Sequence, residues 1–235
     1  MNCAMARQLD SYFFPSVEEA TPEGLVAVGG DLSPKRLMSA YRNGIFPWYS
    51  HGQPILWWSP DPRTVLYTGN VKISHSLRKT LRKGAMRVTM DTAFEDVIDG
   101  CASPRGYDHE TWITPEMRAA YCDLYQEGRA HSVEVWREQH LVGGLYGVAL
   151  GTIFCGESMF TRERNASKVA LTWLDWQLQQ WNFRLIDCQF PSSHLYSLGA
   201  QNIDRNRFIA ELKDGLKKDY QPRHWQFELE AAVLT

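Results

Sequence analysis

Three polar side chains stand where an apolar strand would not normally hold them. Glu157 lies in TIFCGESMF, and Asp187 and Gln189 lie in FRLIDCQ. In an extended strand, positions 187 and 189 share a face, with Cα atoms about 7 Å apart. A carboxylate among such neighbours must be desolvated, paired or functional. Any one of the three alone reads as a satisfied buried hydrogen bond. Three converging on one sheet edge point instead to a site that positions reactants and handles a proton.

Other chemistries find little support. The seven histidines form no HExxH motif, and no GxSxG elbow is present. Five cysteines (Cys3, Cys101, Cys122, Cys155, Cys188) make no CxxC pair and no metal-like spacing with the histidines. They read as reduced, mostly buried thiols. Cys188, between Asp187 and Gln189, points to the opposite sheet face and reads as core, not nucleophile. Gly143, Gly144 and Gly147 sit in a β context, so a dinucleotide fingerprint is not expected.

The elements that must hold the three groups are a strand, a helix and a second strand, from Thr152 to Gln189. In the helix Leu171, Leu174, Leu178 and Trp181 recur at helical spacing, leaving Asp175, Gln179 and Gln180 for the other face. Asn165 or Ser167 is placed to cap its start and Asn182 to close its end. Glu157 is expected to end the first strand.

Upstream, Ser33-Pro34 opens a helix that stops at Gly44. The aromatic, Pro-rich run GIFPWYSHGQPILWWSPDPR has too much apolar area to be a linker. A domain boundary is expected at about residue 62, giving a small N-terminal α/β domain (1–62) and a larger C-terminal one (63–235). The second opens with a strand near Thr64–Tyr67 and the helix SHSLRKTLRKG, with Leu77 and Leu81 inward. On its other side Arg78 and Arg82, and Lys79 and Lys83, sit one turn apart. Such a run reads either as a solvated face or as a strip that tracks phosphates. The rest alternates strands and capped helices, so the expected fold is α+β: a mixed, largely antiparallel sheet with helices packed on it.

Bulk properties bound the partners. At 235 residues, 44% hydrophobic and 22% charged, the chain has ordinary globular values. A net charge of −2 makes no global case for nucleic acid, so a local patch must make it. No leader and no apolar run of about 18 residues is evident, so a cytoplasmic protein without membrane contact is expected, a monomer by default. In acetyl-CoA-dependent acyltransferases a Gly-rich turn before the central helix offers backbone N–H groups to a pyrophosphate. Here that position reads TRERNASK, without glycine, so CoA is not the expected donor.

Several long segments, among them GLVAVGGDLSP, RNGIFPWYS, PILWWSPDPR, ETWITPEM, LVGGLYGVALGTIFCGESMF, NASKVAL, LIDCQ and HLYSLGA, give the chain its family character. Over nearly its whole length it resembles the leucyl/phenylalanyl-tRNA–protein transferases. The resemblance implies an acetyltransferase-like C-terminal domain and transfer of Leu or Phe, also Met, from aminoacyl-tRNA. The acceptor would be the N-terminal α-amine of a protein beginning with Arg or Lys, and the product a degradation signal. It implies no cofactor and no metal. By the same resemblance Asp187 and Gln189 relay or position at the reacting groups, and Glu157 holds the α-ammonium of the aminoacyl group. Trp48 and Trp112 pack on the terminal adenosine. Leu145, Phe154, Met159, Leu171, Leu174 and Ile186 line the aminoacyl pocket, and Arg78, Lys79, Arg82 and Lys83 seat the acceptor stem. The alternatives are a same-fold transferase acting on a cell-wall precursor or small amine, and a non-catalytic tRNA-binding protein. The latter leaves Glu157, Asp187 and Gln189 unexplained.

Overall fold

The structure, a computed structural model, describes residues 12–103, 111–218 and 224–226. Cys3 and most of the loop expected to deliver Trp112 lie outside the described residues.

The first elements are strand β1 (Leu25–Val28), helix α1 (Pro34–Arg42), and strands β2 (Phe46–Pro47) and β3 (Leu56–Trp58). They form a three-stranded antiparallel sheet in the order β1-β3-β2. Pro34 at the start of α1 uses an N–H that would have no partner anyway. Next come β4 (Arg63–Tyr67), α2 (His75–Lys83), β5 (Arg87–Met90), α3 (Phe94–Ala102), α4 (Pro115–Gln126), β6 (Ala130–Arg137), β7 (His140–Leu150) and β8 (Ile153–Thr161). The chain continues through α5 (Ala166–Gln180), β9 (Leu185–Gln189), α6 (Ser193–Ser197), β10 (Gln201–Ile203) and α7 (Arg205–Gly215).

These strands make a seven-stranded sheet in the order β10-β4-β9-β8-β7-β6-β5. Every pairing is antiparallel except β8 with β9, and α5 is the crossover that a parallel pair requires. The fold is therefore α+β with a mixed, largely antiparallel sheet, as the alternation of elements predicts. Because one sheet ends at Trp58 and the next begins at Arg63, we propose the boundary near residue 62. One hydrophobic cluster still joins the two, through Trp57, Val65 and Phe208.

Each face of the large sheet has its own core. One contains Tyr41 of α1, Tyr121 of α4, Cys155 of β8 and Leu212 of α7. The other is built from α5 and α2, through Leu77, Leu171, Leu174 and Leu178, against Phe154 and Ile186. A Cβ on Gly143 would come within 2.5 Å of the Ala166 side chain, so glycine lets α5 begin flush on β7.

Three expectations change. Glu157 lies inside β8, four residues before its end. Asp175 is buried, not on a solvent face, and accepts from the Gly69 N–H at 2.9 Å. Asn165 holds the N-cap position at φ 69° without capping, because its amide is turned to Ser76 and Thr80 of α2. In α2, Ser74 accepts from the Leu77 N–H, and Gly84 closes the end in the left-handed region.

Candidate active site

The site begins where β8 and β9 part. Their pairing runs from Ile153–Leu185 to Cys155–Asp187, and Glu157 and Gln189 lie beyond the last pair. Two irregularities aim the side chains there. In β8, Ser158 faces Tyr146 and Gly156 faces Gly147, so Glu157 is the extra residue of a bulge. In β9, Gln189 faces Thr64 and Asp187 faces Val65, so Cys188 is extra. A bulge inserts one residue and turns the side chains that follow it. Gln189 adopts φ 64°, and its Nε2 donates to Glu157 Oε1 at 2.9 Å. That bond spans the gap between the parted strands.

Asp187 has a different setting. Its two oxygens accept from Arg63 Nε at 2.8 Å and Nη2 at 2.7 Å, and Oδ1 also accepts from the Gln189 N–H at 3.0 Å. Both side chains of the ion pair are 1% exposed. Arg63 further donates to the Gly44 carbonyl at 3.1 Å and lies over the rings of Phe46 and Phe208. Paired two-to-two with Arg63 in the interior, this carboxylate also fixes the backbone of Gln189.

Glu157 is the carboxylate that can change charge. Tyr121 Oη donates to its Oε2 at 2.8 Å, and the Tyr41 and Tyr121 hydroxyls lie 2.6 Å apart. Burial raises its pKa to about 7, against the lowering effect of the hydrogen bonds from Tyr121, Tyr41 and Gln189 and with a further push from the Asp187 charge. A group poised there exchanges a proton readily at neutral pH. Burial and the neighbouring Glu157 charge drive both tyrosine hydroxyls well above their ordinary range, so they remain donors.

Beside this knot is a cavity of about 250 Å³. Leu145, Phe154, Met159, Leu171, Leu174 and Ile186, the six residues expected to line an aminoacyl pocket, all line it. Trp112, Glu157, Leu195 and Cys188 complete much of its wall. Cys188 is thus half-buried at the cavity surface and not in the core, because the β9 bulge places it there. Burial pushes its thiol up, far from thiolate character. The cavity is small against the ~300–1,000 Å³ of common ligand sites, and its size suits one bulky apolar side chain.

The two tryptophans expected to share a base are placed differently. Trp112 is on the cavity wall. Trp48, 44% exposed, is not among the lining residues and packs on Phe190 and Trp58, with ring centroids 5.1 and 6.2 Å away. Phe190 directly follows Gln189, so this aromatic patch adjoins the knot. On α2, Arg78, Lys79, Arg82 and Lys83 are all exposed and have no ion-pair partner among the described residues. Among the described residues, no group of three His, Cys, Asp or Glu could hold a metal ion, and no helix is long and apolar enough to cross a membrane.

Arg63, Tyr41 and Tyr121 are partners of these groups that the sequence reading missed. The demand of a buried carboxylate for donors was the available signal, but nothing in the spacing says which Arg or Tyr answers it.

Comparison with known proteins gives the family. Residues 65–213 match the family described as leucyl/phenylalanyl-tRNA protein transferase, and residues 30–61 match its N-terminal domain. The leucyl/phenylalanyl-tRNA–protein transferase of Cellvibrio japonicus is 56% identical over 90% of this chain and 92% of its own. That of Pseudomonas entomophila is 58% identical over 86% of this chain and 91% of its own. Among solved structures, a GCN5-related N-acetyltransferase from Kribbella flavida aligns with a TM-score of 0.37 and 10% identity, over 70% of this chain and 59% of that one. With identities this high over most of its length, the chain belongs to the leucyl/phenylalanyl-tRNA–protein transferase family of aminoacyltransferases.

Proposed function

We propose that this enzyme moves Leu or Phe from the 3′ end of its tRNA to the N-terminal α-amine of a protein that begins with Arg or Lys. The observation that carries this reading is the Gln189–Glu157 bridge at the edge of an apolar cavity. The aminoacyl side chain enters the cavity, with Leu145, Phe154, Met159, Leu171, Leu174 and Ile186 around it. Its ester carbonyl then lies by the bridge, and Trp112 meets the terminal adenosine. Trp48 offers a second stacking surface, and the α2 cations face the acceptor stem.

The aminoacyl ester is already activated, so little chemistry is demanded of the protein. An α-amine of pKa about 7.7–8.0 is neutral for roughly a tenth or more of molecules at pH 7. It attacks the ester carbonyl; a C–N bond forms, the bond to the ribose 3′ oxygen breaks, and that oxygen leaves as a hydroxyl. Gln189, whose amide is a negligible base, holds the amine against the carbonyl. Ionised Glu157 takes the proton that the nitrogen sheds and passes it to the leaving 3′ oxygen; of a carboxylate's about four acceptor positions, three are engaged, by Tyr121, Tyr41 and Gln189. Asp187 acts one step back, by holding Gln189. Most of the rate comes from keeping amine and ester together in attack geometry.

Incubation of Leu-tRNA or Phe-tRNA with peptides beginning in Arg, Lys or Ala tests the reading. Extension of the first two and not the third is expected; equal extension of all three, or of none, contradicts it.

A further inference from the structure

A second, larger groove opens next to the cavity, with Met159 and His194 lining both. It has a volume of about 890 Å³ and is walled by the β8–α5 turn and the starts of α2 and α5. Arg162, Arg164 and Lys168 line it, and among the described residues none of its lining is acidic. Arg162 is held by a bond to the Leu141 carbonyl at 3.1 Å and by the Phe160 ring beneath its guanidinium. Arg164 and Lys168 have no ion-pair partner among the described residues.

The first turn of α5 is also open to a ligand. The N–H groups of Ser167 and Lys168 bond to no backbone carbonyl, because only Ala166 and Val169 find one there. Their positive end of the helix dipole faces the groove. Independently, Ser167 lines the groove while only 7% exposed, and its hydroxyl forms no hydrogen bond among the described residues. A hydroxyl held at the groove surface can donate to a ligand oxygen. Asn165 does not obstruct the turn, since its amide is engaged with α2.

We propose that this groove binds the phosphodiester groups of the single-stranded tRNA 3′ end, through Arg162, Arg164, Lys168, the Ser167 hydroxyl and the open N–H groups of α5. The proposal rests on the transferase reading and extends it: the ester lies in the cavity and the preceding phosphates run out past His194. It also gives a role to the glycine-free turn TRERNASK, whose cationic side chains replace a Gly-rich phosphate cradle. The exposed cations of α2 then continue the same path toward the duplex.

The test compares two small donors with one Arg-peptide acceptor: 3′-O-phenylalanyl-adenosine, which has no phosphate, and the trinucleotide CCA charged with Phe. Wild type is expected to use the trinucleotide with the higher kcat/KM. Lys168→Glu and Arg164→Glu should each cut that advantage at least tenfold, and Ser167→Ala, which favours the helix, should cut it about threefold or more. If both donors are used equally well by wild type, or if the advantage survives all three substitutions, the groove does not bind phosphate. If wild type uses neither donor nor full-length Phe-tRNA, the transferase reading itself falls.

Discussion

The cavity wall and the polar knot meet on the same two strands, β8 and β9, yet they obey different rules. The wall is a set of apolar side chains whose value lies in summed volume. The knot is a chain of single partners, in which each donor has one acceptor. Within the knot the two carboxylates differ again. Asp187 is paired two-to-two with Arg63; Glu157 is held by weaker neutral donors, and burial leaves it near its point of ionisation. One fold thus supplies a rigid anchor and a titrating group on neighbouring strands.

The comparison is broken most severely at Asp187. Asp187→Ala leaves the Arg63 guanidinium buried without a counter-charge, and such losses cost about 3–5 kcal/mol. Denaturant unfolding should show it; a change under about 1 kcal/mol means that the pair does not anchor the site.

The contrast with Glu157 should appear in stability against pH. Its pKa is raised on folding, so its contribution is fully present below about 4.5 and is lost as pH rises through about 7. Unfolding of wild type and Glu157→Gln, followed from pH 4.5 to 8, should diverge by at most ~3 kcal/mol, with the variant gaining as pH rises. Parallel curves would assign Glu157 an ordinary carboxylate pKa.

On the cavity side the effects are smaller and graded. Leu174→Ala enlarges the pocket and should shift the kcat/KM ratio toward Phe over Leu by about 1–3 kcal/mol. An unchanged ratio, measured with the two charged tRNAs in competition, would move the aminoacyl group out of this cavity. The mildest expected effect belongs to Tyr121→Phe, which removes a hydrogen bond that lowers the Glu157 pKa. The rising limb of activity should then move to higher pH, by about one pH unit or less; movement to lower pH would contradict the bond's role.

Legibility from sequence follows the same division. Periodicity shows α5 and its leucine stripe and the alternation of strands, because these depend on neighbours in the chain. The six wall residues come from the family resemblance and meet at one cavity. Asp187 and Gln189 were visible as misplaced polar groups, but Arg63 is 124 residues from Asp187 and Tyr121 is 36 from Glu157. No local pattern carries a partnership of that range. The bulges explain the remaining differences: strict alternation buries Cys188 away from the site and aligns Asp187 with Gln189. One inserted residue in β9 instead brings Cys188 to the cavity and lets Gln189 turn toward β8.

The division of labour between the carboxylates is tested most directly by single-turnover transfer from Phe-tRNA to an Arg-peptide, measured from pH 5.5 to 8.5 for wild type and Glu157→Gln. The acceptor amine gives both proteins a rise near pH 8. Wild type should show a second inflection near 7 that the variant lacks, and the variant should be slower by about 10²–10⁴-fold. A variant that keeps the lower inflection, or transfers at nearly the wild-type rate, would show that another group takes the proton.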